Sequence, residues 1–206
     1  MILAFGLLSN SQEQIIRHYG FIPDQLLSLT NYDGSGDGNI NTIYPPQPLS
    51  VPLSSTSSLD IVTRLLSSMF IHTNIAHLAF NILALVYLGG FAERSVGILR
   101  YIFIYILAGI AGALFYGVIT TFILGNSHTV LIGASGAISG ILGIAAAAGN
   151  TRAYYWLLIQ IVFAIVGSFT AIPIAFTAHI GGFIAGVLLT KVLIVAEQKK
   201  RIKYLK

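Results

Sequence analysis

Six polar side chains stand in stretches of sequence with no charged neighbour: His72, His77 and Asn81, then Ser135 and Ser139, then His179. A hydroxyl and an imidazole are the two halves of an activated nucleophile, because a hydrogen-bonded base takes the hydroxyl proton as the oxygen attacks. His77 and Asn81 are four residues apart and so share one face of a helix. Ser135 and Ser139 are spaced the same way. An imidazole and a carboxamide are also the kinds of donor that acyl transfer aims at a developing oxyanion, and losing one such donor commonly costs about 3 kcal/mol of transition-state stabilisation. The composition is compatible with hydrolysis by Ser135 with His179 as base, with Asn81, His77 and the backbone N–H groups near Gly136 as oxyanion donors.

The elements that must position these groups are membrane helices. Only 9% of the 206 residues are charged and 55% are hydrophobic, against about 25% charged in ordinary soluble domains, and the mean hydropathy is +0.82. No charged residue lies between Arg100 and Arg152, or between Arg152 and Lys191. A hydrocarbon core about 30 Å thick takes roughly 20 apolar residues per helical span. The pattern predicts an all-α polytopic helix bundle, one membrane-embedded unit over 1–206, with five clear spans at 70–91, 101–124, 133–149, 154–170 and 176–196. Turns fall at Glu93-Arg94 with Gly97, at Asn126 and His128, at Asn150-Thr-Arg152 and at Pro173. Met1–Leu8 is too short to span alone and reads either as the tail of a span or as a partial helix. Residues 9–68 are rich in Ser, Asn, Gly, Pro and Asp and read as a long outer loop with short helical pieces; 197–206 is a basic tail.

Cation placement sets the expected orientation. With the C-terminus cytoplasmic, that side holds Arg94, Arg100, Arg152, Lys191, Lys199, Lys200, Arg201, Lys203 and Lys206, while the outer loop holds only Arg17 and Arg64. Such an excess is the positive-inside pattern. The helices carrying His77 and Asn81, Ser135, and His179 then all start on the non-cytoplasmic side, so the polar groups share one depth in the outer half of the bilayer. Gly136, Gly140 and Gly143 give one of those helices a small-residue face, and Gly182 and Gly186 give another the same, which lets backbones approach closely. Packing these faces together would bring Ser135 near His179. The seven acids are Glu13, Asp24, Asp33, Asp37 and Asp60 in the outer loop, and Glu93 and Glu197 on the cytoplasmic side. None is placed to orient His179, so the expectation is a Ser–His dyad rather than a triad.

Other classes find little support. With no cysteine, disulfides and thiolate chemistry are excluded. The basic tail reads as a topology anchor that can also contact anionic lipid, not as a nucleic-acid surface. Asp33, Ser35 and Asp37 with Gly38 follow the opening of a calcium loop, but its twelfth position is Tyr44 instead of Glu, so the segment reads as a Gly/Asp turn. A transporter would show intramembrane carboxylates or paired broken helices, and a zinc protease would show His-Glu-x-x-His.

Gly133-Ala-Ser135-Gly136, His77-Leu-Ala-Phe-Asn81 and Ala178-His179-Ile-Gly-Gly182-Phe-Ile-Ala-Gly186, in this order, resemble the rhomboid family of intramembrane serine proteases. Tyr87-Leu-Gly-Gly90 leading to Glu93 and Gly97 agrees, and the resemblance runs from about Ser67 to Lys191. It implies a six-span core whose first span is here short or incomplete, Ser135 as nucleophile, His179 as general base, Asn81 and His77 at the oxyanion, and no cofactor. It implies membrane-anchored substrates cut near the outer face, often beside small or helix-breaking residues. The short tails suggest a prokaryotic plasma membrane. Departures from the family pattern are the absence of a Trp-Arg pair in the first loop, the only tryptophan being Trp156, and Ser139 where many members carry an aromatic packed on the histidine. The rival reading is a non-catalytic rhomboid-like protein that binds transmembrane clients.

Overall fold

A computed structural model describes residues 9–30, 57–123, 129–169 and 175–204. The elements are α1 (Ser9–Tyr19), a 3-10 turn (Pro23–Thr30), α2 (Ser58–Ser67), a second 3-10 turn (Ser68–Phe70), α3 (Ile75–Val96), α4 (Ile98–Val118) continued by a π-turn (Ile119–Ile123), α5 (Ser135–Ala147), α6 (Arg152–Phe169) and α7 (Phe176–Tyr204). The fold is an all-α membrane bundle. The expected readings at Met1–Leu8, Asp33–Asp37, Asn126, His128 and Pro173 lie outside the described residues.

Among the described residues three helices are long and apolar enough to cross a membrane, Ile75–Val96, Ile98–Ile123 and Phe176–Ile194, and Ser135–Ala147 is a shorter apolar helix. Their outward faces carry large apolar side chains such as Phe80, Val86, Leu99 and Leu188, which suits lipid and not water as the surrounding medium. The expected span at 70–91 starts and ends later in the chain. Asn74 supplies the start, its Oδ1 accepting from the His77 N–H at 2.8 Å, which satisfies a donor that the helix itself cannot. The helix then runs through Glu93-Arg94 and breaks at Gly97, whose φ of 83 is left-handed backbone that glycine adopts freely. α7 continues into the basic tail because Lys, Arg and Gln are good helix formers.

α5 lies at the centre. From Gly136 to Ala146 every residue is buried, and α4 and α7 pack against it. Two close approaches make this possible. A methyl group on Gly182 would overlap the carbonyl of Gly136, and one on Gly186 would overlap the carbonyl of Gly140. The α5–α7 contact is therefore backbone against backbone, as small-residue faces in membrane helices allow. Thirteen residues at 1.5 Å each make α5 only about 20 Å long, well short of about 30 Å of hydrocarbon.

The outer region is folded against the bundle. Ser57 caps α2: its Oγ accepts from the Asp60 N–H at 3.2 Å, and Asp60 Oδ2 accepts from the Ser57 N–H at 2.9 Å. Phe21, Leu26, Ile61 and Leu65 from this region join Ala113, Tyr116, Leu131 and Ala178 in one buried cluster.

Candidate active site

Ser135 is the first residue of α5, and His179 lies in the first turn of α7. His179 Nε2 and Ser135 Oγ are 2.7 Å apart, a short hydrogen bond between residues 44 positions apart in sequence. The Gly136–Gly182 and Gly140–Gly186 contacts along the same two helices set this distance, because only bare backbone lets the axes come so close. α4 closes the third side: a methyl on Gly112 would stand 2.5 Å from the carbonyl of Ala178, the residue before His179. Gly112 is a positioning residue that the sequence alone did not single out. The signal available was a second small-residue stretch in α4, Ala108-Gly-Ile-Ala-Gly-Ala113.

For Nε2 to accept the hydroxyl proton, the neutral imidazole must carry its own proton on Nδ1. His179 is 7% exposed, and its Nδ1 is buried with no hydrogen-bond partner among the described residues. Among those residues no carboxylate reaches it. Ser139, one turn beyond Ser135, turns back along α5 and donates from Oγ to the Ser135 carbonyl at 2.9 Å.

α3 brings His77 to the same place. A methyl on Gly133 would stand 2.8 Å from His77 Cε1, 2.9 Å from Nε2 and 3.9 Å from Ser135 Oγ, so the imidazole edge and the serine hydroxyl flank Gly133 together. Gly133 has a φ of 110, a backbone state in which other residues are strained. On its other ring nitrogen, His77 Nδ1 lies 3.3 Å from Thr73 Oγ1. His72 packs edge-to-face on His77 with ring centroids 4.9 Å apart, and its Nε2 is buried without a partner among the described residues. Asn81 is buried and donates one of its two amide hydrogens to the His77 carbonyl at 2.8 Å. That contact fixes the carboxamide one turn below His77 and leaves the second hydrogen for another acceptor.

The start of α5 supplies backbone donors. Ile138 N–H bonds back to the Ala134 carbonyl at 2.9 Å, and the N–H groups of Ser135, Gly136 and Ala137 precede that first helical bond. Such groups have no intrahelical partner and form the positive end of the helix dipole. A hydroxyl on an imidazole, beside unpaired N–H groups at a helix start, can attack a carbonyl and hold the oxyanion that results. Among the described residues no group of three or more His, Asp or Glu side chains is placed to hold a metal ion.

Comparison with known proteins finds a matching family model and several similar chains. The family model of the Rhomboid domain matches residues 60–196. Rhomboid protease GluP of Bacillus subtilis is 36% identical over 130 residues, covering 60% of this chain and 24% of that protein. Rhomboid protease AarA of Providencia stuartii is 32% identical over 164 residues, covering 66% of this chain and 57% of that protein. RHOMBOID-like protein 2 of Arabidopsis thaliana is 33% identical over 143 residues, covering 66% of this chain and 43% of that protein. The chain thus spans between about a quarter and under three-fifths of the length of these relatives.

Proposed function

Since this chain belongs to the rhomboid family, an integral membrane family that includes named proteases, we propose that it is a serine endopeptidase that cuts membrane-anchored proteins with a Ser135–His179 dyad. The observation that carries the reading is the 2.7 Å bond between Ser135 Oγ and His179 Nε2. As Ser135 attacks the scissile carbonyl, its proton passes to Nε2. The tetrahedral oxyanion is held by backbone N–H groups at the start of α5 with His77 and the free hydrogen of Asn81. The imidazolium then protonates the leaving amine, and the acyl-enzyme is hydrolysed by water that His179 deprotonates in turn.

The half-buried position of Ser135 and the shortness of α5 fit a substrate bond cut below the membrane surface. If the Ala147 end of α5 lies level with the cytoplasmic edge of the hydrocarbon, Ser135 lies about 10 Å below the outer edge, from the length difference. Cation placement supports an outward-facing site with the C-terminus in the cytoplasm, and the prokaryotic plasma membrane is the proposed setting. A purely client-binding role has no use for a hydroxyl hydrogen-bonded to an imidazole. The test is cleavage of a single-span substrate, with a helix-breaking residue near its outer end, in liposomes holding the parent or Ser135→Ala. Cleavage by the parent alone supports the proposal, and equal cleavage by both contradicts it.

A further inference from the structure

The chain enters α3 through His72-Thr73-Asn74, and hydrogen bonds run in one direction from this segment to His77. The run starts at the helix cap. Asn74 Oδ1 accepts from the His77 N–H at 2.8 Å, which settles which end of the carboxamide is oxygen and turns the amide nitrogen the other way. That nitrogen only donates, and it lies 3.4 Å from Thr73 Oγ1. Thr73 Oγ1 lies in turn 3.3 Å from His77 Nδ1.

The polarity of the last bond follows from the first two. A hydroxyl has one hydrogen and accepts through its lone pairs. With Asn74 donating to the oxygen, the Thr73 hydrogen is directed at Nδ1, which is then the bare nitrogen of a neutral ring. The proton of His77 is thereby placed on Nε2. Nε2 is also the nitrogen beside Gly133: a methyl on that glycine would stand 2.9 Å from it and 3.9 Å from Ser135 Oγ. The opposite tautomer would turn a lone pair toward the place where negative charge develops, and would repel an oxyanion instead of holding it. His72 packs edge-to-face on the ring with centroids 4.9 Å apart, which opposes its rotation.

Resting on the reading of His77 as an oxyanion donor, we infer that Thr73, aligned by Asn74, is a positioning residue that fixes the tautomer of His77 with its proton on Nε2. The start of α3 and the oxyanion site are then coupled through one hydroxyl. Thr73 acts on the reaction only through His77. Two substitutions separate this role from packing. Thr73→Val keeps the branched shape and removes the hydroxyl. Asn74→Asp keeps an oxygen that caps α3, but it replaces the amide donor with a second acceptor. That acceptor draws the Thr73 hydrogen to itself and leaves Oγ1 to accept from an Nδ1–H.

The experiment uses the full chain with nitrogen-15 histidine at about pH 8, where an ordinary imidazole is neutral. The His77 signals are those lost in His77→Ala. The readouts are the protonation of each ring nitrogen, and kcat and KM on a single-span substrate in liposomes. The parent is expected to carry its His77 proton on Nε2. Thr73→Val is expected to mix the two tautomers and lower kcat about fivefold to tenfold, the worth of one hydrogen bond. KM stays unchanged, because the oxyanion exists only in the transition state. Thr73→Ser is expected to restore both readouts. Asn74→Asp is expected to move the proton to Nδ1 and lower kcat by at least about tenfold, toward the cost of losing an oxyanion donor, with thermal stability kept. Added to His77→Ala, Thr73→Val is expected to change kcat no further, since the two act as one unit.

A parent with its proton on Nδ1 overturns the inference, as does a folded Thr73→Val in which either readout keeps its parent value. A further fall in kcat when Thr73→Val is added to His77→Ala also overturns it. Should Thr73→Val fail to fold, Asn74→Asp decides: an unmoved proton or a parent kcat there overturns the inference. A His77→Ala variant as active as the parent fails the oxyanion reading and takes this inference with it. A slow His77→Ala beside a Thr73→Val with parent kcat overturns this inference alone.

Discussion

Gly182 on α7 lies so near the carbonyl of Gly136 on α5 that a methyl group there would overlap it. Gly136 follows Ser135 and Gly182 stands three residues after His179, so this backbone contact lies immediately beside the Ser135–His179 hydrogen bond. The spacing of the helices and the geometry of the hydroxyl–imidazole pair are therefore one quantity. Inserting a carbon between the helices would shift both.

The two members of this contact respond differently to the same change. Gly182→Ala forces α7 away from α5, an overpacking that costs about 1–3 kcal/mol, and a displacement near 1 Å lowers labelling of Ser135 by about a hundredfold. A methyl on Gly136 instead stands 3.5 Å from the Ala178 carbonyl, an ordinary contact. Gly136→Ala is expected to fold and to label within about tenfold of the parent, since no neighbour has to move. Thermal unfolding and probe labelling of the two purified variants check the contrast.

Gly133→Ala meets two obstacles at once. Its φ of 110 strains any side chain, a cost of about 1–3 kcal/mol, and the added carbon presses on the His77 ring. The expected outcome is a folded protein with slowed labelling of Ser135. Pairing it with His77→Ala, which removes the ring but not the strained φ, should recover stability in part and leave labelling low. Full recovery of labelling in the double variant would contradict a role for His77 at the oxyanion.

Much of this site could be read in the sequence because membrane burial makes polar residues conspicuous. Ser135, His179, His77 and Asn81 stood out as uncompensated polar groups, and Gly136, Gly140, Gly182 and Gly186 as matching small faces. The helix starts were less legible: Asn74 sits in a polar cluster where sequence gives no sign of which side chain will cap. Least legible was the outer region. Residues 9–30 have no long apolar run, and a bridge between Phe21 and Leu131 is made by backbone groups that every residue except proline possesses. Arg64 likewise binds carbonyls, not an acidic partner, so no charge pairing announced it.

The cap of α2 sets a pH dependence in that outer region. Hydrogen bonds from the Ser57 hydroxyl and backbone N–H hold the Asp60 carboxyl below its ordinary value. A depressed carboxyl stabilises the folded state above its unfolded pKa, and that contribution is lost as pH falls through the lower folded value. Amide exchange in 58–67 is therefore expected to rise as the pH drops below about 4, where carboxylates begin to protonate. Asp60→Asn should flatten that rise, and an unchanged acid response in Asp60→Asn would show that another group governs it.

The central claim, that His179 activates Ser135, is tested most directly by fluorophosphonate labelling of the purified parent beside Ser135→Ala and His179→Ala. The account predicts a labelled parent, with labelling lost in Ser135→Ala and reduced at least about a hundredfold in His179→Ala, the scale expected when general-base help is removed. A folded parent that takes no label, or a His179→Ala variant that labels as fast as the parent, would contradict it.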